Sequence, residues 1–254
     1  MTIRPIPTNL SDDRHPSGTK AEETSSAPGP ATPSADGRLP RGRLVGAAAL
    51  TVVVSVAIEN AVLAGTGAPA FGAPIEEVLA YYAAHRGAVA VASGQVALYL
   101  PLLLMFVAGL HGLVERRGGA GADWSRLAVA AGATLAAVFV LVNVLQVALA
   151  LAAGDLTAPT PAFELVWQVH SAAFALALPV LGTASIGMAL ATHASGLTPA
   201  WQRLLGLVAG SLLLAAGLGN LAVADGSPLL FVGLLGFAAW LVWLLTTGVR
   251  LART

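Results

Sequence analysis

The sequence predicts an all-α fold: a polytopic membrane helix bundle with six transmembrane helices, both termini cytoplasmic, and one short interfacial helix in the first outer loop. Three observations predict it. Apolar residues make up 56% of the 254 and charged ones only 10%, where a soluble domain carries about 25% charged residues to cover its surface. After Arg43 the apolar residues gather into six runs, each with the roughly 20 residues that cross about 30 Å of hydrocarbon. The basic residues then sort by side, as cytoplasmic loops require.

The first 43 residues stand apart. They hold seven of the 15 prolines, six of the 13 basic residues and five of the 13 acids. Such a stretch cannot bury enough apolar surface to offset its ordering entropy, so a disordered cytoplasmic tail is expected over 1–43. The first apolar run starts too late and runs too long for a signal peptide. The six-helix domain then covers 44–254, with spans at Leu44–Leu63, Ala88–Val114, Leu127–Ala152, Val166–Ala191, Leu204–Ala224 and Leu229–Val249. No segment alternates apolar and polar residues in the way a membrane β-barrel strand does.

With the N-terminus inside, 12 of the 13 basic residues fall on the inner side and Arg86 alone lies outside. The outer loops are instead acidic, through Glu76, Glu77, Asp155, Glu164 and Asp225. All five tryptophans, at 124, 167, 201, 240 and 243, lie at or near span ends, where interfacial aromatics concentrate. In the first outer loop Pro74 can open a helix whose first turn holds Glu76 and Glu77. Ile75, Val78, Leu79 and Tyr82 follow at i, i+3, i+4 and i+7, one apolar face of a helix lying on the membrane interface.

Two hairpins look like parallel copies. Shifting the third span by 77 residues lays Trp124, Arg126 and Asn143 on Trp201, Arg203 and Asn220, and a shift of 78 lays Pro101 and Gly109 on Pro179 and Gly187. Both prolines are mid-span and predict helix kinks. Gly206 and Gly210, four apart, predict close helix packing.

Chemistry is sparse. There is no cysteine, so disulfides, thiol catalysis and Cys-held metals are excluded. No G-x-S-x-G, H-E-x-x-H or phosphate-binding glycine loop occurs, so no enzyme is implied. No cofactor, metal or nucleic-acid partner is implied either, and no oligomeric state is specified; the expected partner is the lipid bilayer. Glu59 is the one carboxylate well inside a span, and an intramembrane ionisable group is a site candidate by default. It follows Thr51 and Ser55 at i+4 spacing, a stripe expected to face the bundle and to pair Glu59 with His170 or Arg86. Asn60, Gln95, Asn143, Gln146, Gln168, His170 and Asn220 fall at a similar depth in the outer half. The eight residues predict an outward-opening polar pocket for a small polar or cationic ligand, or a titrating proton site. The alternative is a hydrogen-bonded network that only holds the helices together, as in a structural or accessory protein.

Histidines offer a distant third reading. His85 and His170 lie near the outer face and His111 and His193 near the inner one, which suggests a b-haem membrane protein. Spacings of 26 and 23 residues place every one near water, too far apart along the helices for haems sunk in the bundle.

EEVLAYYAAHRGAV after the first span, FVAGLHGLVERR closing the second and LTPAWQRLLGLVAG leading into the fifth resemble the domain-of-unknown-function multi-pass membrane proteins of high-GC bacteria. The resemblance covers residues 44–254 and excludes the proline-rich tail. It implies a six-helix cell-membrane protein and carries no activity with it.

Overall fold

The computed structural model of the chain describes residues 41–253, and among these every regular element is a helix. Six are long and apolar enough to cross a membrane: α1 (Arg41–Gly65), α3 (Arg86–Arg116), α4 (Ala122–Ala153), α5 (Pro161–Ala194), α6 (Ala200–Leu218) and α8 (Leu229–Ala252). Two are short, α2 (Ile75–Ala84) and α7 (Asn220–Ala224). The molecule is a multi-pass membrane helix bundle.

Helices run past the apolar runs at nearly every end. Arg41 and Arg43, expected in the tail, form the first turn of α1; residues 1–40 of that tail lie outside the described residues. The reason is general: an apolar run ends where side-chain chemistry changes, whereas a helix continues until its backbone is capped. At the start of α5, Thr160 Oγ1 accepts from the Phe163 N–H at 3.2 Å and Pro161 occupies the first turn, a start signal upstream of the apolar run. At its end, Gly196 adopts φ 70° and the Leu197 N–H returns to the Thr192 carbonyl at 2.8 Å, closing the helix by a left-handed glycine.

The fifth span departs most. It was expected to run unbroken from Leu204 to Ala224, yet it stops at Leu218, and Gly219 separates α6 from α7. The Leu229 side chain fills the place a Cβ on Gly219 would need. The 19 residues of α6 already measure about 28 Å, enough for the hydrocarbon core. Helices α3 and α5 continue through Pro101 and Pro179.

Each span packs on the next in chain order, and α8 returns to α1, so the six close a ring. Helix α5 is the most buried of the six and also touches α3 and α8 across the ring. Glycines set the close contacts: a Cβ on Gly182 of α5 would lie 2.7 Å from the Gly210 carbonyl oxygen of α6. A Cβ on Gly46 of α1 would likewise meet the Gly248 carbonyl oxygen of α8 at 2.7 Å. The end carrying Arg41 is filled by Phe106, Leu110, Met188, Trp243 and Leu244, all nearly inaccessible.

The opposite end is built differently. Val78, Leu79 and Tyr82 of α2 pack, with Tyr81, onto Val89, Leu149, Phe163 and Trp167 as a second apolar cluster. The apolar face of α2 therefore rests on the bundle, while Glu76 and Glu77 stay exposed. A capped polar end over a packed core leaves room between the two, and the site lies there.

Candidate functional site

Two chambers occupy that space. The deep one, about 140 Å³, lies inside the ring and is walled by apolar side chains, among them Val56, Leu100, Leu135, Leu178, Leu181 and Phe237. The vestibule, about 170 Å³, lies beneath α2 and the loop before it, and is lined by Asn143, Gln146, His170, Trp167, Tyr81 and Tyr82. Glu59, Leu63, Phe139 and Phe174 line both, so they form the neck between an apolar and a polar space.

Glu59 is half-buried on α1. Its polar neighbour is the Tyr99 side chain of α3. Neither His170 nor Arg86 pairs with it. Arg86 is exposed, and its guanidinium lies beside Gly154 at the end of α4; His170 shares the vestibule with Glu59 without an ion pair. The expected stripe is only partly realised. Ser55 is buried and Glu59 faces the cavity, but Thr51 is exposed and donates to the Ala47 carbonyl at 3.0 Å. Residues eight apart on a helix drift about 80° around its axis, which carries Thr51 off the inner face.

Of the other predicted residues, Asn143, Gln146 and His170 line the vestibule and Asn60 lines the deep chamber. The Asn60 amide is spent on its own helix, donating to the Val56 carbonyl at 2.8 Å. Three do not reach the cavity. Gln168 is exposed and donates to Glu164 Oε1 at 3.3 Å. Gln95 is half-buried and lines neither chamber. Asn220 is the first residue of α7, beyond the break, and does not join Asn143.

An aromatic wall completes the vestibule. The Trp167 and His170 rings stack at 5.3 Å with 14° between planes. Phe71, from the loop before α2, lies 6.0 Å from Trp167 and 5.0 Å from Phe174, and its carbonyl accepts from Trp167 Nε1 at 3.3 Å. Thr66 and Tyr81 hydroxyls bond at 2.9 Å and fasten the same loop to α2. Sequence reasoning missed these rings and Tyr99. A signal existed for Tyr99: of the three tyrosines it alone sits within a span, where a hydroxyl needs a partner.

Two polar atoms in the vestibule residues lack partners. Asn143 Oδ1 and His170 Nδ1 are buried with no hydrogen bond, although buried polar atoms are nearly always bonded. The remaining described histidines are engaged: His85 Nδ1 with the Tyr81 carbonyl at 3.1 Å, His111 Nδ1 with Ser125 Oγ at 2.7 Å, and His193 Nδ1 with the Thr198 carbonyl at 3.3 Å.

Fold and cavity together define a multi-pass membrane helix bundle with a carboxylate at the neck of an internal two-chambered cavity. No family model, curated protein or solved structure matches the chain.

Proposed function

We propose that this is a cell-membrane protein, with both termini in the cytoplasm, that binds a small cation in the vestibule at Glu59. The observation that carries the reading is the placement of Glu59. A carboxylate inside a span, facing a cavity with no basic partner among the described residues, is suited to a cation arriving from outside. The aromatic wall of Tyr82, Trp167, Phe139 and Phe174 around it supports the same reading, because ring faces attract cations. Orientation rests on charge. Arg41, Arg43, Arg116, Arg117, Arg126, Arg203, Arg250 and Arg253 gather at one end, with Arg86 at the other. We place the chain with the bacterial multi-pass proteins it resembles.

Thermal unfolding of the purified protein in lipid nanodiscs, with and without a panel of small ammonium and guanidinium ions, tests the reading. A cation-dependent upward shift in wild type, lost in Glu59→Gln, is expected. Absence of any shift in either form, together with a less stable Glu59→Gln, would assign the polar residues to packing.

A further inference from the structure

We infer that the ligand is an amphiphilic primary amine, its ammonium head held in the vestibule at Glu59 and its hydrocarbon body in the deep chamber. The inference rests on the vestibule being a cation site and adds the class of molecule that fits both chambers.

The head is defined by what the vestibule offers. Glu59 is an acceptor when ionised, and Asn143 contributes a carbonyl oxygen without a protein partner. Two acceptors call for a head with N–H donors, which an ammonium carries.

The body is defined by the chamber beyond the neck. Of its polar side chains, Asn60 is engaged on the Val56 carbonyl and Tyr99 stands beside Glu59; the Trp240 ring is in the wall, its buried Nε1 without a hydrogen-bond partner. What remains to line it is Val, Leu, Ala, Gly and Phe. A mainly apolar space of about 140 Å³ is close to the engineered cavity of about 150 Å³ that accepts benzene, so a body of about six carbons fits. A purely polar cation would leave this chamber empty, and a purely apolar molecule would leave Glu59 unused.

The chamber also reaches the bundle exterior. Asn60 of α1 and Leu234 of α8 are both exposed and both line it. Helices α1 and α8 are in close contact at the other end, at Gly46 and Gly248. The wall between them therefore meets lipid at the chamber's level, a setting in which an amphiphile is the molecule at hand.

The test is calorimetric titration of the full chain in phosphatidylcholine nanodiscs, with empty discs as blank, using ethylammonium and hexylammonium. Each buried methylene is worth about fourfold in affinity, so hexylammonium is expected to bind on the order of two-hundredfold tighter than ethylammonium. Glu59→Gln is expected to lose both. Val56→Phe or Leu181→Phe, which fill the deep chamber, are expected to bring hexylammonium close to ethylammonium. A wild-type ratio below about tenfold, with ethylammonium binding still lost in Glu59→Gln, overturns the tail site and leaves the cation site standing. A chain-length gain that survives in a folded filling variant also overturns it. Failure of both amines to bind wild type removes the cation site as well. The wild-type series decides the matter even where a filling variant does not fold.

Discussion

At the scale of single residues, depth and azimuth part company. Depth along the membrane normal follows from position within an apolar run, and Glu59, Asn143, Gln146 and His170 were placed by it at one level. Azimuth depends on which neighbour each helix meets. Gln168 has much the same depth as His170, yet it turns outward and bonds Glu164. The unpartnered vestibule atoms give a prediction in which stability and binding move in opposite directions. Leaving a buried acceptor unsatisfied costs about 1–3 kcal/mol, so Asn143→Leu is expected to hold or raise the unfolding temperature of the ligand-free protein while weakening cation binding. A clear fall in that temperature would place the amide in a packing network instead. Trp167 is different, because it stacks on His170 and bonds the Phe71 carbonyl. Trp167→Ala is expected to lose about 3–5 kcal/mol, as large core truncations do, read by the same melting curve.

At the scale of elements, close contacts and caps decide more than hydropathy. The Gly206 to Gly210 spacing was legible as a close-packing signal, and a Cβ on Gly210 would indeed meet Ile186 and the Gly182 carbonyl. Its partner Gly182 could not be paired with it from sequence, since nothing local says which helix faces which. Gly182→Leu is expected to force α5 and α6 apart at a cost of about 1–3 kcal/mol, measured as a lower midpoint in thermal unfolding. The two matched Trp-x-Arg segments open α4 and α6 in the same manner: Trp124 and Trp201 are exposed, while Ser125 and Gln202 between them and the arginines are buried. Beyond that the copies diverge, because Gly219 breaks α6 where α4 runs on past Asn143.

Helix α2 carries its own pH signature. Burial, and then the neighbouring Tyr81, push the Tyr82 phenol well above its ordinary value. The folded state keeps it neutral where the unfolded chain ionises near pH 10. Its contribution to stability is therefore complete below about pH 10 and declines as pH rises above that value. A melting temperature that is level through neutral pH and drops in alkali, with a shallower drop in Tyr82→Phe, is the expected result.

At the scale of the whole molecule, the ring is solid toward the arginine-rich end and hollow toward α2. The same asymmetry of charge that sorts the loops predicts which end meets the cytoplasm. The chain has no cysteine, so single cysteines report topology cleanly. Thr157→Cys is expected to react with a membrane-impermeant maleimide added to intact cells, and Ala120→Cys only after the membrane is opened. The reverse pattern would invert the bundle and turn the vestibule to the cytoplasm.

Hydropathy and charge alone specify the number of spans, the approximate bounds of each and the position of Glu59 and its polar company within them. These follow from hydrocarbon thickness and the cost of burying charge, which act on each segment independently. Packing sets the rest: that the helices close a ring in chain order, that Tyr99 rather than Arg86 or His170 stands beside Glu59, and that aromatic rings from the α1–α2 loop and α5 wall the vestibule. Those outcomes depend on which faces meet, and in so uniformly apolar a chain side-chain shape at the contacts, set by a few glycines, fixes that choice.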